Sequence, residues 1–174
     1  PERRFAAVQV AGTNGKGSIC TLVHQALLAS GIHAGLYTSP HLVSWTERIR
    51  PGDTPIAATD LRRHLETATP IAQRHQLTPF ELVTAAAFLA FAEANCELVV
   101  LEVGLGGRLD ATTCHPHRPV IGFASVGLDH AEFLGPDPAT IAAEKAGVLQ
   151  PGAVAISAPQ SPEVAAVLVE RAAA

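Results

Sequence analysis

The chain of 174 residues carries a net charge of -4 and is 48% hydrophobic, enough for one core and short of two ordinary domains. No basic excess marks a nucleic-acid surface, and the most apolar run, Leu82 to Ala92, falls well below the ~20 residues that span a membrane. Three scattered cysteines, Cys20, Cys96 and Cys114, suit reduced thiols in a cytoplasm, and the lack of any methionine, even at position 1, is expected of a piece cut from a longer protein.

Phe5 to Ala11 reads as a strand buried on both faces. It breaks into Gly12-Thr13-Asn14-Gly15-Lys16-Gly17-Ser18, which reads as a phosphate cradle. Glycines let successive N–H groups converge on an anion, the following helix points its positive end at the same place, and Lys16 adds a full charge. The spacing departs from the general P-loop, because Val10 stands where its first glycine falls and Gly17 separates Lys16 from Ser18. The alternative is a plain glycine-rich turn. Ile19, Leu22, Val23, Ala26 and Leu27 then recur at helical spacing, and Gly31 ends that helix.

A short strand through Leu36-Tyr37 leads into Thr38-Ser39-Pro40-His41-Leu42, and residues 43 to 58 read as a long loop without periodicity. Within it Trp45, Glu47 and Arg48 form either a substrate edge or a surface ion pair. Thr59 is placed as the cap of a helix whose apolar stripe is Leu61, Leu65, Ala68 and Ala72. Thr78-Pro79-Phe80-Glu81 is a capping box with proline at the first helical position, opening a central helix to about Asn95. Strands follow at Leu98 to Val103, Val120 to Val126 and Ala153 to Ile156, with helices from Asp137-Pro138 to Gly147 and from Ser161-Pro162 onward. This alternation predicts a single α/β domain over 1–174, a mostly parallel sheet flanked by helices on both faces, with ligand loops beyond the carboxyl ends of the strands.

Four residues at those ends bear on chemistry. Glu102 closes an apolar strand, where a carboxylate is costly unless paired, for instance with Arg108, or bound to a metal. Facing a triphosphate it would be repelled unless Mg²⁺ lay between them. His130, in Gly127-Leu128-Asp129-His130, is either a metal ligand or a hydrogen-bonded loop residue, and Asp129 either orients the ring or caps the turn. Lys145 in the last turn of its helix has a ready explanation in the helix dipole. Cys114-His115-Pro116-His117 lacks the companion ligands of a tetrahedral zinc site.

Taken in order, Gly12 to Ser18, Thr38 to Leu42, Glu47-Arg48-Ile49, Thr78 to Glu81, Leu101 to Thr112, Gly127 to His130 and Glu144-Lys145-Ala146-Gly147 resemble the folylpolyglutamate synthase and dihydrofolate synthase family of the Mur ligase superfamily. The resemblance implies a P-loop NTPase-like fold, the Mur ligase central domain, with ATP on Gly12, Thr13, Asn14, Gly15, Lys16, Gly17 and Ser18. It implies Mg²⁺ on Ser39, Glu102, His130 and a carboxylated Lys145, and a pterin on Thr78, Phe80 and Asp110. It assigns Lys16, Lys145 and His130 to catalysis. CO₂ on the lysine amine turns a cation into an anionic oxygen donor suited to a hard divalent ion.

The implied reaction starts with attack of a pterin-type acid, dihydropteroate or a reduced folate, on the γ-phosphate of ATP. L-glutamate then displaces phosphate from the acyl phosphate. A cytoplasmic monomer with no nucleic-acid or membrane partner is expected. Members of the family are longer at both ends and carry a C-terminal domain over ATP, so a truncated piece with little turnover is expected. Thr113 stands where the family has asparagine, and Gly135-Pro136-Asp137-Pro138 replaces a less proline-rich turn. The alternatives are a Mur ligase of peptidoglycan synthesis, or a P-loop nucleotide-binding module without ligase chemistry.

Overall fold

The computed structural model describes residues 1–173. Its strands are β1 (Ala6–Ala11), β2 (Ala34–Tyr37), β3 (Ile49–Arg50), β4 (Leu98–Glu102), β5 (Val120–Phe123) and β6 (Val154–Ser157). Its helices are α1 (Lys16–Ala29), α2 (Ala58–Arg74), α3 (Pro79–Glu93), α4 (Ala131–Leu134), α5 (Pro138–Ala146) and α6 (Pro162–Ala173). The strands form one sheet in the order β3-β2-β4-β1-β5-β6, parallel throughout except for β3. The mostly parallel sheet covered on both faces is thus borne out. Central β1 pairs with β4 on one side and β5 on the other, with Val10 opposite both Glu102 and Gly122. That register brings the loops after β1, β2, β4 and β5 out at one edge.

Side chains alternate across each strand, so the two faces have separate cores. Val10, Leu36 and Val100 meet α1 through Cys20. On the opposite face Ala7, Tyr37, Val99 and Leu101 pack with α3 through Phe88 and Phe91, and Ile121 and Phe123 pack with α5 and α6 through Ile141, Val164 and Leu168. Helix α3 is central because its sequence is apolar nearly all round, and its capping box forms as predicted, Thr78 Oγ1 accepting from the Glu81 amide at 3.3 Å.

Several local expectations are corrected. Residues 43 to 58 are not one irregular loop: a short turn over Trp45–Arg48 precedes β3, which pairs antiparallel with β2. Helix α2 starts one residue before Thr59, with Ala57 as its uncapped N-cap, although the stripe of Leu61, Ala68 and Ala72 is buried. On α1, Leu22 is exposed and Cys20 and His24 hold the inner face, where His24 Nε2 meets the Ala34 carbonyl at 3.2 Å. Strand β5 ends at Phe123, because Ser125 turns away to bond the glycine loop.

His115 is fully buried between the rings of Phe5 and Phe88, at centroid distances of 4.9 and 5.8 Å. Burial, with the Arg118 charge in support, pushes its pKa from 6.5 down to about 4. The unfolded chain therefore takes up this proton at higher pH than the folded one. Stability is unaffected above 6.5 and is lost progressively as pH falls from 6.5 towards 4, by about 3 kcal/mol. Replacing His115 by Phe is expected to flatten the pH dependence of the unfolding free energy across that window, measured by urea titration at successive pH values.

Candidate active site

The strand-to-helix turn after β1 starts α1 at Gly15, whose φ of +85° is open to glycine at little cost. The first turn of α1 leaves the amides of Lys16, Gly17 and Ser18 without intrahelical acceptors, and these face the loop. Part of the cradle is tied down by its own hydrogen bonds. The amides of Thr13 and Asn14 are already bonded to the Ser125 carbonyl, at 2.8 and 3.4 Å, and Thr13 Oγ1 exchanges hydrogen bonds with Gly127. Those two residues anchor the loop to the end of β5, and the residues from Gly15 to Ser18 remain to meet an anion. Lys16 Nζ folds back on the Thr13 carbonyl at 3.1 Å.

Glu102 ends β4 against this turn. A Cβ built on Gly17 would lie 3.6 Å from each Glu102 carboxylate oxygen, and the Ser39 amide donates to Oε2 at 2.9 Å. Ser39 follows β2, so three strand ends meet at this carboxylate. Arg108 is not its partner; it pairs with Glu144 at 3.4 Å. Glu102 is 5% exposed and has no ion pair among the described residues. Burial raises its pKa, against the Ser39 hydrogen bond and the nearby Lys16 charge. A buried carboxylate with one amide donor and no bonded cation is a site suited to a hard metal ion.

Lys145 is the second unneutralised charge. It is 3% exposed, and its amine has no hydrogen-bond or ion-pair partner among the described residues. Burial first and the Lys16 charge second push its pKa from 10.5 down to about 8, opposed by Asp129 and Asp110. The helix-dipole account of Lys145 does not explain this burial. Lys16 senses both Glu102 and Lys145, which puts all three at one edge.

His130 adopts φ +47° at the start of α4 and is half-exposed. Its Nε2 lies 3.6 Å from Asp129 Oδ1, a charge contact too long for a hydrogen bond. No three His, Cys, Asp or Glu side chains gather as a metal site among the described residues. The implied set holds only two of those types.

Beside this edge lies a cleft of about 450 Å³ lined by Thr78, Phe80, Leu105, Asp110, Phe133 and Glu144, among others. It therefore joins all three residues assigned to a pterin. Asp110, however, already accepts four hydrogen bonds from its own loop, from the Gly104 and Leu105 amides at 3.0 Å each and from the amide and hydroxyl of Thr112 at 2.9 and 2.6 Å. Thr78 is bound into its capping box. Phe80 is the member left to offer a surface, with its ring edge against Gly104. Trp45, Glu47 and Arg48 make no ion pair among the described residues: Glu47 accepts the amides of Leu42, Val43 and Ser44, while Arg48 lies 4.4 Å over the Trp45 ring. Gln9, Thr112, Thr113 and Arg118 form a buried polar cluster behind the cleft that the sequence reading missed. An isolated glutamine in an apolar central strand was its signal.

A parallel sheet with a glycine loop, an acidic strand end and a buried lysine around one edge defines a P-loop NTPase-like domain of the Mur ligase type. No protein-family model matches the chain. It is 42% identical over 147 residues to the dihydrofolate synthase/folylpolyglutamate synthase of Escherichia coli, covering 81% of this chain and 33% of that protein. It aligns with Mycobacterium tuberculosis folylpolyglutamate synthase complexed with ADP at TM-score 0.91 and 37% identity, covering 99% of this chain and 41% of that one. It aligns with E. coli FolC in complex with DHPP and ADP at TM-score 0.87 and 38% identity, covering 97% and 40%. The chain belongs to the dihydrofolate synthase/folylpolyglutamate synthase family and spans between 33% and 40% of the length of the curated relatives it matches.

Replacing Lys145 by Met, similar in volume but uncharged, is expected to stabilise the protein at pH 7 by about 1–3 kcal/mol in CO₂-free buffer. In the wild type the unfolded chain binds more protons between pH 8 and 10.5, so stability rises with pH across that range. The substitution should abolish that rise, as followed by chemical unfolding at each pH.

Proposed function

We propose that this chain is the ATP- and pterin-binding core of a ligase that joins L-glutamate to a pterin-type acid, dihydropteroate or a reduced folate, as a cytoplasmic monomer. The observation that carries this reading is Glu102, a buried carboxylate without a cation, set against the amide-rich start of α1. Family membership, and relatives whose structures contain ADP and DHPP, support the choice of substrates. At the third to two fifths of the family's length that it spans, the chain binds substrates and turns over little by itself.

In this reading the amides from Gly15 to Ser18 hold the outer phosphates, and Lys16 leaves the Thr13 carbonyl to meet them. Glu102, Ser39, His130 and a carboxylated Lys145 hold Mg²⁺. The ion supplies charge neutralisation for the phosphoryl group in transfer. Lys145 suits carboxylation because burial, by lowering its pKa to about 8, leaves a larger share of neutral amine near pH 7. The free amine attacks the CO₂ carbon, an N–C bond forms and one proton departs to solvent. Phe80 stacks the pterin ring, and the loop that Asp110 organises shapes the wall beside it. The acid's carboxylate takes the γ-phosphoryl group as the bond to the β-phosphate oxygen breaks and ADP leaves. The amine of glutamate then attacks the acyl carbon, loses a proton to solvent and displaces inorganic phosphate to leave an amide.

Phosphate release by a full-length protein containing this chain is expected to require both dihydropteroate and L-glutamate, in a coupled assay. Release equally fast without either acceptor would sink the ligase reading. In the chain itself Glu102→Ala is expected to weaken Mg²⁺-dependent ATP binding by roughly tenfold or more, measured by calorimetry, and unchanged binding would remove Glu102 from the metal set.

A further inference from the structure

Gln9 is the one polar side chain of β1 and is fully buried, and neither the phosphate cradle nor the metal set uses it. Its partners across the sheet, Leu101 and Ile121, belong to the α3 and the α5–α6 cores respectively. Gln9 therefore sits at the seam where the loop after β4 crosses. Arg118, 6% exposed and without an ion pair among the described residues, donates through Nη1 to Gln9 Oε1 and to the Val148 carbonyl at 2.9 Å. A guanidinium only donates, so the amide oxygen of Gln9 must face it and the amide nitrogen must face the other way.

On that side Gln9 Nε2 donates to Thr112 Oγ1 at 2.8 Å and to Thr113 Oγ1 at 2.9 Å. A carboxylate only accepts, so the Thr112 proton goes to Asp110 Oδ1 at 2.6 Å, while that of Thr113 goes to the Gly107 carbonyl at 2.7 Å. The chain of bonds has a single possible polarity. It starts at a buried cation and ends at a carboxylate on the cleft wall, with a charged group strengthening each end. Both of its branches terminate in loop 104–113.

We infer that Gln9 is a positioning residue for the cleft: through Thr112 and Thr113 it fixes the loop on which selection of the pterin-type acid depends. The inference rests on the reading above that the acid occupies this cleft. A polar cluster that merely stabilised the fold would act on every ligand alike. A positioning role acts on the acid and leaves the nucleotide cradle untouched, because α1 packs on the opposite face of the sheet.

Gln9→Glu tests this, because it keeps the shape and a partner for Arg118 while turning the donor towards Thr112 and Thr113 into an acceptor. The expected result has three parts: an unchanged or raised thermal midpoint, amide exchange at Gly104, Leu105 and Thr112 about tenfold faster with Val10 and Val100 unchanged, and dihydropteroate affinity about tenfold weaker with MgATP affinity unchanged. Thr112→Val, which cuts the chain beyond an intact Arg118–Gln9 pair, should give the same selective loss and carries the test should Gln9→Glu fail to fold. Equal losses of both ligands, or exchange and affinity at wild-type values, would overturn the inference. Wild-type protein that binds MgATP but no dihydropteroate is instead a failure of the functional reading, and it leaves the exchange comparison to decide whether Gln9 anchors the loop.

Discussion

Charges held at the carboxyl edge of the sheet without a neutralising partner are the constraint around which this molecule is built. Removing an ion from water costs several kcal/mol even after the protein relaxes, and a fold shaped by stability alone would give Glu102 a cation and leave Lys145 in solvent. Neither happens: Arg108 pairs with Glu144, and Lys145 is buried. Both groups respond by shifting towards neutrality, Glu102 upward and Lys145 downward. Lys16 lies near each and bonds to neither, resting on a backbone carbonyl. A polyanion and its counter-ion together would neutralise such an edge, which is the physical basis for reading it as a nucleotide site.

How much of this was legible in the sequence depended on whether the signal was local. The capping box at Thr78, the glycine turn at Gly15 and the strand-ending Glu102 each follow from neighbours a few residues away, and each stands where expected. Lys145 shows the opposite case. Helical position offered the dipole as a sufficient explanation, and only the fold reveals that the residue is buried. Thr59 was misassigned because a good capping residue lay one place inside the real start of α2, and β3 was missed because two residues pairing with an edge carry no periodicity.

The polar residues of the cleft were found as a group but not in their bonding. Spacing cannot show that the oxygens of Asp110 are filled by the amides of residues 104, 105 and 112 and a threonine hydroxyl. Thr113, which departs from the family pattern, accepts from Gln9 and donates to Gly107, so the side chain present supplies both an acceptor and a donor. Long-range contacts of this kind, 103 and 104 residues apart along the chain, are what single-sequence reasoning lacks.

The same loop also ties the cleft to the buried lysine. Its Arg108 amide donates to the Glu144 carbonyl at 3.1 Å, and a Cβ on Gly107 would come within 2.7 Å of the Lys145 carbonyl oxygen, so only glycine lets the backbone lie this close to α5. Glu144 lines the cleft while Lys145, the next residue, is buried near Lys16. One turn of helix is therefore a wall of the cleft on one side and the mount of the lysine on the other. With the loop held from behind by Gln9 and from the side by α5, most of its conformational freedom is lost on folding, before any ligand arrives. Preorganisation of that kind lowers the ordering cost of binding and holds reacting groups in register.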